Sequence, residues 1–189
     1  AYAMCKGFAN GGVYQEEDGV RSTIQIHNAK LEAYCDLIEE LQGKPCFTAY
    51  EFNHDLARIE TRFKNVPAIN GATSPKQSEK LVKDWNAGRL QILAAQPQAV
   101  SHGMNLQESA NDICWFGLTD QPEVYEQFNR RIYRQGVSGQ VRIHHILARG
   151  TVDEVRMSRL KSKSADQQSL LKSLRAYREK VTGTQTVGI

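Results

Sequence analysis

Apolar positions along this chain follow two alternating rhythms. Leu31, Tyr34, Cys35, Ile38 and Leu41 recur at helical spacing, and Gly43 with Pro45 ends that run. The apolar stretch from Pro45 to Tyr50 has the length of a buried strand. Phe52, Leu56, Ile59 and Phe63 then give a second amphipathic helix. Ser74-Pro75-Lys76-Gln77 joins a capping box to a proline at the first helical position, so a third helix begins there. Leu81, Val82 and Trp85 are its buried face and Gly88 its stop. Leu90 to Ala95, Asp112 to Gly117 and Val141 to Leu147 are further strands. Between the last two, Val124, Phe128 and Ile132 form the apolar stripe of another helix, with Asp120 and Glu123 spaced as its cap. Thr151-Val152-Asp153-Glu154 is a second capping box and opens a helical tail. Polar residues from Ser162 to Gln168 interrupt that tail before Leu170, Leu171, Leu174 and Tyr177. Residues 1 to 29, broken by Gly11-Gly12 and Gly19, read as an irregular linker.

Strands and helices alternating at this pitch predict an α/β fold, a parallel sheet with helices on both faces. The expected organisation is a linker over 1–29, one domain over 30–150 and a helical C-terminal extension over 151–189. In such a sheet, ligands gather at the carboxyl ends of the strands. Two loops there carry chemistry: Ala95 to Gln107, too long and polar for a plain connector, and Gly117 to Glu123.

Composition changes this picture little. A chain of 189 residues, 40% hydrophobic and 24% charged, is ordinary for a globular domain with one appendage. No run approaches the ~18 apolar residues of a membrane span. No basic-then-apolar N-terminus marks secretion, so the expectation is a soluble, cytoplasmic domain with no membrane partner. The chain begins at Ala1 without a methionine, which points to an excised fragment. Cys5, Cys35, Cys46 and Cys114 form no C-x-x-C pair, and no histidine stands at ligand spacing from them, so no metal site is expected. Cys46 and Cys114 lie in apolar runs as small buried thiols, and the adjacent His144 and His145 face opposite sides of a strand.

Charge is more telling. The net charge is +3, yet from Arg149 onward nine basic residues stand against four acidic ones. A basic tail on a near-neutral body points to a polyanion partner; its ordinary alternative is a solvated helix surface.

The densest chemistry lies at Gln127 to Gly136, QFNRRIYRQG. Read as a helix, Gln127, Arg131 and Arg134 fall at i, i+4 and i+7 on one polar stripe beside the apolar one. Guanidinium groups on an anchored helix suit charge developing on a transferring phosphoryl group. In the preceding loop, Ser101, His102 and Gly103 combine small donors with a position where backbone can approach a ligand. Asn105 adds an amide able to meet a sugar hydroxyl or orient an arginine. Taken singly, each of these is commonplace: Arg131 and Arg134 as surface residues, Trp85 and Trp115 as core aromatics, His54 as a helix-start residue. Their joint order is specific.

That order resembles the second RecA-like lobe of superfamily-two helicases, and most of all the Swi/Snf-type ATPases, including short phage forms. AVSHGMNLQ at 99–107 resembles the fifth motif of that family and QFNRRIYRQG the sixth, with Gln127, Arg131 and Arg134 at its Gln and two Arg positions. PCFTAY with Glu51 to Arg58 resembles the fourth, Lys80 to Gly88 the segment before the fifth-motif strand, and Gly150 to Glu154 the element after the last strand. The resemblance covers about residues 25 to 160. Gln135-Gly136-Val137 stands where remodelling members usually show Ile-Gly-Gln, and Tyr133 replaces their His, which argues against a eukaryotic remodeller more than against the family.

The resemblance implies ATP-driven translocation on nucleic acid, double-stranded DNA first, or its remodelling. ATP with Mg²⁺ would sit between this lobe and an N-terminal RecA-like lobe. Arg134 would contact the γ-phosphate, Arg131 would support it, and Gln127 would help set the closed interface. Gly103 and Asn105 would line the nucleotide cleft, while Ser101, His102 and the loop near Tyr50 would touch the nucleic-acid backbone. The sequence holds no G-x-x-x-x-G-K-[ST] loop, since Gly43-Lys44-Pro45 is followed by strand, and no D-E-x-H-type motif. Without these the lobe is expected to be inactive alone. Two function classes follow: the second motor lobe of an ATP-dependent translocase, or a free-standing nucleic-acid- or partner-binding module that keeps the fold without the chemistry.

Overall fold

The computed structural model describes residues 1–100, 104–133 and 139–162. Helix α1 (Tyr2–Asn10) leads into a two-stranded antiparallel hairpin, β1 (Gly12–Glu17) and β2 (Val20–Gln25). Then follow α2 (Ala29–Glu40), β3 (Cys46–Ala49), α3 (Asn53–Glu60), β4 (Ala68–Ile69), α4 (Pro75–Asn86) and β5 (Ile92–Ala95). A 3₁₀ turn (Pro97–Ala99), β6 (Asp112–Trp115), α5 (Pro122–Asn129) and β7 (Arg142–His145) come next, and a helix over 152–162, here α6, closes the described chain.

The first 29 residues depart from the expected irregular linker. Asp18-Gly19 is not a break but a two-residue hairpin turn: both residues have positive φ, 52° and 75°, and Glu17 pairs with Val20. Gly11 ends α1 in the left-handed conformation, φ 94°, and a Cβ there would lie 2.3 Å from the His27 carbonyl oxygen. Only glycine fits.

Strands β4-β5-β3-β6-β7 form one parallel sheet in that order. Period-two alternation divides its side chains between two cores. Phe47, Ala49, Leu93, Ala95, Ile113 and Trp115 face one side, where Trp85 of α4, Phe128 of α5 and Leu160 of α6 cover them. Cys46, Tyr50, Ile92, Ala94, Cys114 and Phe116 face the other, under Leu31, Tyr34 and Ile38 of α2 and Ile59 of α3. Phe47 stacks on Phe128 with ring centroids 4.3 Å apart, a contact worth about 1 kcal/mol beyond its buried area. Trp85 and Trp115 are fully buried, and their indole N–H groups donate to the Leu106 carbonyl and the Asn129 side chain, both at 2.9 Å.

Capping follows the sequence in α4, where the Ser74 hydroxyl accepts from the Gln77 N–H and the Gln77 side chain accepts from the Ser74 N–H. It departs in α5 and α6. Gln121, not Asp120, caps α5, with Pro122 at its first position. At α6 the Thr151 hydroxyl accepts from Asp153 rather than Glu154. Asp120 and Asp153 are drawn elsewhere, into the site described next.

Candidate functional site at the carboxyl ends of the strands

The two chemically loaded loops meet. Gln96, Pro97 and Gln98 after β5, Gly117, Leu118 and Thr119 after β6, and Tyr50 and Glu51 after β3 line a pocket of about 230 Å³. Gly117 allows this closeness, since a Cβ there would stand 2.9 Å from the backbone nitrogen of Glu51. Tyr50, expected beside the nucleic-acid track, is turned inward. Its side chain is fully buried and its hydroxyl accepts from Asn70 at 3.3 Å. The apolar run that makes β3 a buried strand carries the ring with it.

Helix α5 ends at Asn129, and turns continue the chain to Tyr133, where Arg131 N–H donates to the Phe128 carbonyl and Tyr133 N–H to that of Asn129. The expected polar stripe is therefore not continuous. Gln127 is exposed on α5, whereas Arg131 is only 9% exposed. Arg131 lies against the preceding loop: its Nη1 donates to the Met104 carbonyl at 3.5 Å and its own carbonyl accepts from the Leu106 N–H at 3.2 Å. The Asn105 side-chain oxygen accepts from the Gln107 N–H within its own turn, and its carbonyl accepts from Asn86. Ser101, His102, Gly103 and Arg134 lie outside the described residues.

Beneath the pocket lies a polar network that the sequence did not announce. Arg156 of α6, 1% exposed, donates to Asp120 and Glu51, both at 2.9 Å, and to the Leu118 carbonyl. Lys6 of α1 reaches Glu51 at 2.6 Å and Asp120 at 3.2 Å, and the Tyr2 hydroxyl donates to Asp120. Burial alone would raise the Asp120 carboxyl, but Tyr2, Arg156 and Lys6 outweigh it and hold it below its ordinary value. Lys30, at the start of α2, pairs with Asp153 at 2.6 Å and donates to Asn10 at 2.8 Å. Burial lowers the Lys30 pKa despite Asp153. Asn10 in turn donates to Asp55, which also accepts from the Glu51 and Phe52 N–H groups. Arg156 thus belongs to this buried network and not to a solvated basic tail. The signals were present as charges at capping positions, but their partners lie far away along the chain.

Two smaller features complete the electrostatics. Asp112 accepts from Arg142 at 2.8 and 2.7 Å and from the His144 Nε2 at 2.8 Å. Burial would raise its pKa, yet these bonds leave it below the ordinary carboxylate range. His145 faces the other side, its Nε2 2.8 Å from the Tyr125 hydroxyl, and burial with the nearby Lys161 and His144 lowers its pKa to about 4. Among the described residues no His, Cys, Asp or Glu cluster could hold a metal ion, and no helix is long and apolar enough to cross a membrane.

A five-stranded parallel sheet covered on both faces, with its chemistry gathered at the carboxyl ends, defines a RecA-like α/β lobe. The chain belongs to the helicase conserved C-terminal domain family, which it matches over residues 29–136. It is 35% identical over 175 residues to protein p41 of Acyrthosiphon pisum secondary endosymbiont phage 1, covering 88% of this chain and 36% of that protein. It is 29% identical over 143 residues to the DNA repair protein RAD5A of Arabidopsis thaliana, covering 68% of this chain and 13% of that one. A third relative, YwqA of Bacillus subtilis (strain 168), carries an ATP-dependent helicase/translocase name; it is 26% identical over 153 residues, 77% of this chain and 16% of its own length. The chain therefore spans little more than a third of these relatives at most. The C-terminal part of the Fun30 ATPase domain shares the fold, with a TM-score of 0.62 at 18% identity, over 71% of this chain and 48% of that one.

Proposed function

We propose that this chain is the second motor lobe of an ATP-dependent translocase on nucleic acid, with duplex DNA as its first-choice track. The observation that carries the reading is the double contact of Arg131 with Met104 and Leu106. It fastens the arginine segment to the loop that leads out of SHG, so that two stretches of the helicase pattern act as one surface. In this reading Arg134 reaches the γ-phosphate of ATP bound by a preceding lobe, and Arg131 holds the support rigid. Gln127, exposed on α5, meets the facing lobe. Gly103 and Asn105 border the nucleotide, while Ser101 and His102 contact the backbone of the track. Phosphate contacts of this kind give affinity and salt dependence without sequence reading.

The division of labour follows from chemistry. Phosphoryl transfer needs a lysine to cradle the phosphates and a carboxylate to hold Mg²⁺. This sequence has neither in its motif setting, so the magnesium ligands come from the other lobe and the charge-stabilising arginines from this one. The test is ATP hydrolysis by the intact protein and by residues 1–189 alone, each with duplex DNA. The intact protein should turn over ATP and the 189-residue lobe should not. Duplex-dependent turnover by the lobe alone would overturn the proposed division. An intact protein that binds duplex without any turnover would favour a binding module.

A further inference from the structure

Among the described residues ten large hydrophobic side chains are exposed, and six of them fall within the first 26 positions, ahead of the 29–136 span that the family matches. Helix α1 has two sides. Tyr2, Lys6 and Asn10, at i, i+4 and i+8, hold the buried network through Asp120, Glu51 and Lys30. Met4 and Phe8 lie about 200° around the helix from Tyr2 and Lys6, on the side turned away from that network. The hairpin extends this second side. Gly7 brings α1 onto the Val13 face, since a Cβ there would stand 3.5 Å from Val13 Cγ1. Ile24 is opposite Val13 in register, and alternation places Val20 and Ile26 on the same face. Phe8 leans toward the end of β2: the His27 ring stands edge-on to it, centroids 6.0 Å apart, and the His27 Nε2 lies 2.9 Å from the Phe8 carbonyl. Met4, Phe8, Val20, Ile24 and Ile26 are between 41% and 68% exposed.

An apolar surface of this kind marks an interaction site, and its charges say what does not fill it. The only Lys or Arg among residues 1 to 26 are Lys6, committed to Glu51 and Asp120, and Arg21, on the opposite hairpin face over the Tyr14 ring. Glu17, opposite Val20, shares the apolar face. The face therefore offers no cation to a phosphate backbone or an anionic lipid surface. Five side chains also fall well short of the ~20–30 residues a side that hold two free proteins together. A tethered partner needs far less, because its effective concentration is about millimolar. Chain of the same protein meets that condition. The family is a C-terminal domain, and this chain spans 36% of the phage protein p41. Helix α1 also lacks a start signal: no side chain caps it and its first turn has no acidic residue, whereas Gly11 closes its other end. We propose that this face seats the lobe preceding this one in the same protein, with apolar side chains of that lobe covering Met4, Phe8, Val20, Ile24 and Ile26. The proposal rests on the two-lobe reading above. One helix then joins the preceding lobe, on its Met4 side, to the carboxylates beneath the pocket, on its Lys6 side.

The test is methionine oxidation of the intact protein by dilute hydrogen peroxide, read at Met4 by peptide mass spectrometry. At 63% exposure an uncovered Met4 reacts nearly as fast as in the unfolded chain. Seated, it should react about tenfold more slowly than in the same protein in urea, and Phe8→Glu, a change at an exposed position of this lobe, should bring the two rates within about twofold. The protection should survive both dilution and removal of residues 163–189. Protection lost on dilution makes the occupant a second copy, and protection lost with those residues makes it the C-terminal extension; either result overturns the seat. Oxidation of wild-type Met4 at the urea rate also overturns it, and duplex-dependent ATP turnover by that same protein leaves the motor reading standing. Met4 protected in the wild type and released by Phe8→Glu, in a protein without any ATP turnover, upholds the seat and sinks the motor reading instead.

Discussion

The two ends of the parallel sheet hold charge in contrasting ways. At the amino end, Asp112 of β6 meets Arg142 and His144 of the neighbouring β7, closing a span of about thirty residues between adjacent strands, and Arg142 is half exposed. At the carboxyl end, Arg156 meets Glu51 across 105 positions of sequence, and Lys30 meets Asp153 with both side chains at 2% exposure or less. The first is a local fastening that any sheet edge could carry. The second draws α1, α2, the loops after β3 and β6, and α6 to one point, beneath the face where the helicase pattern puts its chemistry. Buried charge is costly to assemble and more costly to break. Its concentration at one end shows where the fold must keep several loops in fixed relation.

Breaking that concentration should have the largest effect. Lys30→Met leaves the buried Asp153 carboxylate with Arg156 and the Ala148 N–H but without its lysine, and should destabilise the domain by about 3–5 kcal/mol in urea unfolding. Lys30→Met with Asp153→Leu should recover much of that loss. A double mutant no more stable than the single one would mean that packing, not charge, dominates the site.

His145, at the carboxyl end of β7, sharpens the comparison through pH. Its folded pKa of about 4 lies below the ordinary value of 6.5. The unfolded chain therefore takes up a proton that the folded one refuses, and stability falls as pH drops from about 6.5 to 4. The loss is on the order of 3 kcal/mol. His145→Gln should flatten the stability profile in that window, and an unchanged profile would show that His145 does not set it.

The amino-end fastening should matter less. Asp112→Asn keeps the shape, loses the charge and should cost about 1–2 kcal/mol at neutral pH. Because the Asp112 pKa is depressed, its contribution is complete above the unfolded carboxylate value near ~3.9 and fades as pH falls through the lower folded value. Thermal unfolding from pH 7 to 2 would follow both the cost and its disappearance in the variant.

The same contrast explains what could be read from the sequence. Elements set by local pattern were legible: α2 to α4, the strands β3, β5, β6 and β7, and the two tryptophans of the core. So was the convergence of the loops after β5 and β6, because parallel sheets place ligands at that edge. Strand β4, only Ala68–Ile69, was not, since its one signal is its pairing with Ala94 and Ala95 of β5. The hairpin was missed for another reason. Asp18-Gly19 did signal it, but neighbouring glycines pointed to a linker. Arg131 illustrates the limit of helical periodicity: the ideal stripe runs past Asn129, while the chain turns there and presses the guanidinium onto Met104. Glu51, Asp120, Asp153 and Arg156 look like caps or surface charges until the fold brings them together.

We propose that this lobe brings arginines to a nucleotide held by another. Steady-state ATP turnover of the intact Arg134→Ala protein, measured beside equilibrium binding of a fluorescent ATP analogue, tests it most directly. Turnover should fall by roughly 10³-fold or more, with nucleotide affinity changed only a few-fold. Turnover equal to that of the unaltered protein would contradict it.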